Sequence, residues 1–85
     1  MRMQIQDQLK TILIERFNID PALIHPTVSL QKELKLDSMD AVDLLLAVND
    51  VFSIQLPEEM LGKIHTLNDL TICVEQMLAR KTQRN

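Results

Sequence analysis

One cysteine, one glycine, two aromatic residues and no tryptophan or tyrosine leave this 85-residue chain without the side chains on which many small folds depend. With Cys73 alone, an internal disulfide framework and a cysteine-based zinc site are both excluded. A single glycine and three prolines argue against a turn-rich β-sandwich and against disorder. No apolar run approaches the roughly 18 residues of a membrane span. The first ten residues are too polar for a signal peptide, so the cytoplasm is the expected compartment. What the chain does have is aliphatic. Hydrophobic residues make up 46% of it, and only Phe17 and Phe52 are aromatic. Such material suits interlocking helices, and the expected class is all-α. A chain of this length makes one small domain, burying only about 60–65% of its unfolded surface. One domain over 1–85 is expected, with a frayed tail at 82–85.

The charge is uneven. Residues 1–35 are net +1 and residues 63–85 net +2, while residues 36–62 carry six acids and no Lys, Arg or His, for a total of −3. An acidic centre repels nucleic acid and favours cationic protein surfaces, although a merely solvated acidic face has the same composition.

Periodicity places the elements. Ile5, Leu9, Ile12, Leu13 and Phe17 form one apolar face, predicting a helix from about Gln4 to Phe17 that stops at Asn18. Asp20-Pro21 reads as a turn or a short capped start. Residues 20–37 form a long connection with Leu23, Ile24, Val28, Leu30, Leu34 and Leu36 available to tuck onto a core. Asp37 is a good N-cap, and Asp40 three residues on completes an approximate capping box for a helix from Ser38 to about Phe52. Leu44, Leu45, Val48 and Phe52 supply its core stripe. Met39, Val42 and Leu46 form a second stripe, either buried on another side or exposed as a binding seam. Pro57, Glu58 and Glu59 open a short helix expected to reach Leu61 and stop at Gly62. Thr66 and Asp69 frame another approximate capping box for a last helix to about Arg80, with Leu70, Cys73, Val74, Met77 and Leu78 inward. The expected architecture is a small four-helix bundle, with three main helices, one short one and a long loop between helices one and two.

Catalytic chemistry has little support. His25 and His65 lie in connections, and no serine sits in a nucleophile-elbow motif. Asp37, Asp40 and Asp43 are three apart, whereas a calcium loop needs acids two apart around a glycine, so no metal site is expected. Cys73 reads as a small core residue. Ser38 stands out because it opens the most acidic helix after a long loop, where free N–H groups and the positive helix end tolerate a phosphate ester. Serine is also simply common at helix starts.

The wider pattern decides between these readings. Glu33-Leu34-Lys35-Leu36-Asp37-Ser38-Met39-Asp40, then Val42-Asp43-Leu44, Phe52, Leu56-Pro57-Glu58-Glu59 and Ile64, strongly resembles the acyl carrier protein family over nearly the whole chain. The resemblance implies a non-catalytic carrier of acyl thioesters. Ser38 would receive 4′-phosphopantetheine from coenzyme A through a Mg²⁺-dependent phosphopantetheinyl transferase, with Asp37 assisting the metal in that complex. Met39, Asp40, Val42, Asp43, Leu46 and Asp50 would form the partner face. The implied partners are the transferase and acyl-loading or chain-extending enzymes such as a ketosynthase, an acyltransferase or an acyl-ligase. No nucleic acid and no membrane span are implied, and a monomer is expected. The acyl chain would slip between the second helix and the short helix, bounded by residues such as Leu45, Leu56, Leu61 and Ile64.

Two departures lower the negative charge that a fatty-acid carrier usually presents. Lys35 stands where the family usually has glycine, and the acidic run ending helix two reads Asn49-Asp50-Val51. They favour a specialised carrier for a polyketide, lipid or similar product over primary fatty-acid synthesis. The alternatives are an aminoacyl or D-alanyl carrier, which shares fold and arm, and a helical adaptor with no arm.

Overall fold

The apolar spacing of the first segment folds as the α-helix α1, Ile5–Phe17, in the computed structural model, which describes residues 4–83. Leu9, Ile12 and Leu13 are its buried residues. Asn18 ends it in a left-handed conformation (φ 58°), and the Ile19 N–H returns to the Leu13 carbonyl at 3.2 Å. Asp20 then caps one turn of 3₁₀ helix, Pro21–Leu23, accepting the Ala22 N–H at 2.9 Å.

α2, Ser38–Phe52, begins on the expected residue. Both bonds of its capping box are present. The Asp40 N–H donates to Asp37 Oδ1 at 2.9 Å, and the Asp37 N–H to Asp40 Oδ2 at 3.4 Å. Leu44, Leu45, Ala47, Val48 and Phe52 are buried. A second 3₁₀ helix, Glu58–Lys63, follows Pro57 and then leads to α3, Leu67–Gln83. Two endpoints differ from expectation. Gly62 does not stop the short helix, because it carries no positive φ and the Ile64 N–H closes one more turn onto the Leu61 carbonyl at 3.3 Å. α3 runs three residues past Arg80, so the tail expected to fray is helical at Thr82 and Gln83, and Arg84 and Asn85 lie outside the described residues.

The architecture is the expected all-α bundle of three main helices and the short helix Glu58–Lys63, with one further 3₁₀ turn, Pro21–Leu23, in the long connection. α1 packs on α2 and α3, and the second 3₁₀ helix packs on α2. The long connection is stitched to the start of α3. The Leu30 N–H donates to the His65 carbonyl, the Leu67 N–H to the Val28 carbonyl and the Asn68 N–H to the Pro26 carbonyl, around an isolated antiparallel bridge between Ser29 and Thr66. Ile24, Val28, Leu30, Leu34 and Leu36 enter the core from this loop, while Leu23, expected to join them, stays half exposed. Thr71 is buried on α3 and satisfied: its hydroxyl donates to the Leu67 carbonyl at 2.9 Å and accepts from Gln6 on α1 at 3.4 Å.

Candidate functional site

α2 has three edges, each meeting a different environment. Its core edge is covered by the bundle. Its α1 edge carries Asp43, whose Oδ1 lies 3.3 Å from Arg16 of α1, with both side chains about half exposed. Its remaining edge borders a cavity of about 270 Å³.

Ser38 lines this cavity and is itself exposed, so its hydroxyl stands where an aliphatic chamber meets water. Leu36 and Leu30 of the long connection, Ala41, Val42 and Leu45 of α2, and Leu61 and Ile64 at the short helix supply aliphatic wall. Gln31 and Ser38 are the only side chains of the lining with polar atoms. Of the four residues expected to bound a cargo, Leu45, Leu61 and Ile64 line the space and Leu56 does not. Leu56 is buried elsewhere, its backbone held by Asn49 through N–H to Oδ1 at 2.9 Å and Nδ2 to C=O at 3.2 Å. The walls from the loop, Leu30 and Leu36, escaped the sequence reading because nothing in their spacing says which side of a connection faces a cavity.

The second stripe of α2 is exposed and not buried. Met39 is 81% exposed and Leu46 58%, while Val42 between them is partly covered at the cavity wall. Asp37 and Asp50 are exposed and Asp40 partly so. Asp37 and Asp40 are tied to each other's backbone in the capping box, and Asp43 is engaged by Arg16. Asp50 makes no ion pair among the described residues.

The other reactive side chains are accounted for structurally. Cys73 is partly covered, and burial, then the Asp69 charge, pushes its thiol above the ordinary value. The His25 ring is exposed and lies 3.2 Å from the Thr27 hydroxyl. No group of three or more His, Cys, Asp or Glu among the described residues could hold a metal. No helix among them is long and apolar enough to cross a membrane.

The sequence that builds this site has known relatives. The family model described as a phosphopantetheine attachment site matches residues 7–74. This chain belongs to the acyl carrier protein family. It is 32% identical over 73 residues to the acyl carrier protein of Wolinella succinogenes, covering 86% of this chain and 96% of that protein. It is 30% identical over 73 residues to that of Helicobacter pylori strain J99 (86% and 94%), and 28% identical over 76 residues to that of Thermosynechococcus vestitus (89% and 94%). The family's cofactor is phosphopantetheine, and its members are carriers and not enzymes. The present carrier shares that character.

Proposed function

We propose that the chain is a single-domain, monomeric, cytoplasmic carrier that holds acyl intermediates as thioesters on a 4′-phosphopantetheine arm attached to Ser38. The observation that carries this reading is the double setting of Ser38, exposed to solvent and at the same time part of the lining of an aliphatic cavity. The residues present fit the group. An ester on an exposed hydroxyl leaves its phosphate in water, and the chamber beside it offers an apolar chain somewhere to go. Asp37, exposed and one residue away, is positioned in sequence to help the transferase's Mg²⁺. Met39, Val42 and Leu46 with Asp40, Asp43 and Asp50 form a face of apolar and acidic side chains, suited to partner enzymes with basic rims around apolar pockets.

The cavity also narrows the cargo. A cavity of about 270 Å³ has room for several methylene groups. Among its lining side chains only Gln31 and Ser38 carry groups that can hydrogen-bond. A straight acyl chain of medium length fits this chemistry better than an aromatic, aminoacyl or multiply oxygenated group, whose polar atoms would lose water without gaining partners. This favours a carrier in fatty-acid or related lipid synthesis over one handling an aminoacyl substrate.

Incubation with coenzyme A and a phosphopantetheinyl transferase tests the reading directly. Wild type gains the mass of the arm. Ser38→Ala gains none and keeps its helical content, because alanine at a first-turn position costs about 1 kcal/mol or less. Arm attachment to the alanine variant, or none to wild type with several transferases, would refute the assignment and in the second case favour an arm-less adaptor. Loading an octanoyl group then tests the cargo. Six methylenes removed from water contribute at most about 5 kcal/mol, much of it offset by ordering the arm. A rise of several degrees in melting temperature over the unacylated arm is expected.

A further inference from the structure

Three non-glycine residues of the described chain have positive φ, and two of them are helix ends: Asn18 closes α1 and Ser53 closes α2. The third is Lys35, at φ 58°, inside the loop and three residues before Ser38. The turn it makes is required. Leu34 before it and Leu36 after it are both buried, and the Leu36 N–H reaches back to the Leu30 carbonyl at 3.0 Å. Glycine would make this turn without a Cβ penalty, whereas a long L-side chain is strained there. Strain of this kind persists where the surroundings over-determine it and is a reason to look for a role. The packing of Leu34 and Leu36 explains the turn but not the lysine, which is exposed and has no ion-pair partner among the described residues.

The charge around Ser38 supplies a reason. Asp37 and Asp40 flank it and are held there by their capping box. From residue 36 to residue 62 there is no cation to offset them. A phosphodiester on Ser38 is therefore an anion beside two carboxylates, offset within the chain's middle segment only by the positive end of α2. Lys35 is the cation nearest to Ser38 along the sequence, and three residues span at most about 11 Å, within which its flexible four-carbon stem can work. It directly precedes Leu36, and Leu36 and Ser38 both line the cavity.

We propose that Lys35 is the counter-ion of the phosphodiester that joins the arm to Ser38, a positioning residue that holds the base of the arm on the loop side of the cavity mouth. The inference rests on the reading of Ser38 as the attachment site. It assigns no role to Lys35 in any bond made or broken.

The test compares arm-free and arm-bearing protein, the arm confirmed by mass, in wild type, K35G, K35Q and K35R. By NMR, attaching the arm should shift the side-chain Cε signals of Lys35. The ³¹P signal of the arm should move in K35Q and stay near its wild-type position in K35R, and these differences should fade at about 1 M salt, where the Debye length is about 3 Å. Melting curves give a second readout. K35G relieves strain, so it should raise the melting temperature of the arm-free protein. It should raise that of the arm-bearing protein by less, because a counter-ion is lost with the strain. Unmoved Lys35 signals with equal gains for both forms of K35G would overturn the proposal. So would Lys35 signals that shift only when the transferase is added, which would assign the lysine to a carboxylate on a partner. A wild-type protein that gains no mass overturns the Ser38 reading and this proposal together, whereas loaded protein with silent Lys35 signals overturns only the latter.

Discussion

α2 and α3 both begin on a capping box, yet the first residue inside each box is treated oppositely. At α3, Thr66 Oγ1 accepts the Asp69 N–H at 3.1 Å, and Asp69 Oδ2 accepts two backbone donors, His65 N–H at 3.0 Å and Thr66 N–H at 3.1 Å. Leu67 immediately follows and is fully buried, and the bridge to Ser29 locks the same corner to the long loop. At α2 the return bond is long, 3.4 Å, and Ser38 and Met39 inside the box are exposed. One box ties a helix to the rest of the fold, whereas the other starts a helix while leaving its first turn accessible. The same local motif thus serves packing at one end of the bundle and access at the other.

The largest expected contrast comes from removing the N3 carboxylate in each box. Asp69→Ala leaves two backbone donors without their acceptor, the exposed N–H of His65 and the partly covered N–H of Thr66, and should cost about 1–2 kcal/mol. In a domain of this size the upper figure lowers the melting temperature by roughly 8–16 °C. Asp40→Ala removes one long, exposed bond and should cost about 0.5 kcal/mol or less. Equal losses by thermal melting would show that the two boxes are energetically alike and that accessibility at α2 is incidental.

Acid sharpens the same comparison. The backbone donor of His65, then that of Thr66, hold the Asp69 carboxyl below the ordinary carboxylate value. A depressed folded-state value means that the stabilisation is fully present above the unfolded value near 4, and is lost as pH falls through the folded one. The stability gap between wild type and Asp69→Ala should therefore be constant from about pH 8 to 5 and narrow below about pH 4. A gap independent of pH down to 2 would mean that the carboxylate charge contributes nothing at this corner.

Which parts were legible in the sequence follows from how far each signal travels. Both capping boxes, the Asn18 stop and the start of α2 at Ser38 are encoded within three or four residues, and each occurs where the spacing puts it. That Ser38 opens α2 was legible for the same reason, whereas its expected role came from the wider resemblance. The stitching of residues 26–30 to 65–68 joins segments nearly forty apart and left no local trace. Lysine carries no turn preference, so the left-handed turn at Lys35 shows in the sequence only through the glycine usual there in the family, a departure read for its charge and not for its backbone. Gly62 misled in the other direction, since a 3₁₀ turn can close through Ile64 without any left-handed residue. Asn49 looked like a missing acid. It is a clamp that uses both ends of its amide on Leu56, seven residues on.

That clamp gives the next effect in size. A carboxylate at 49 can still accept the Leu56 N–H, but it cannot donate to the Leu56 carbonyl and sets two acceptors against each other in a partly buried place. Asn49→Asp should cost about 1–2 kcal/mol by melting, although it restores an acid to the end of α2. The damage falls on the segment leading to the short helix that walls the cavity, so octanoyl stabilisation should shrink in this variant. Unchanged stability would mean that the charge pattern, and not the amide, decides this position.

The smallest effect on folding, and the finest test of the accessible face, concerns its acids. Arg16 meets Asp43 through one contact of 3.3 Å between half-exposed side chains, and such pairs contribute about 0–1 kcal/mol. Arg16→Ala should therefore leave the melting temperature within a few degrees of wild type. It also frees a carboxylate on the proposed docking face, so association with a basic partner such as the transferase should become faster at low salt. Asp50 has no ion pair among the described residues to lose, so Asp50→Lys should slow that association without a measurable change in stability. Asp43→Lys should do both, because it opposes the partner and also repels Arg16. All three effects on association should converge as salt rises and the Debye length falls below about 8 Å. If Arg16→Ala slows association instead, Arg16 contacts the partner directly, and the face extends from α2 onto α1. If none of the three alters it at low salt, docking lies elsewhere and the acids of α2 only keep the first turn solvated.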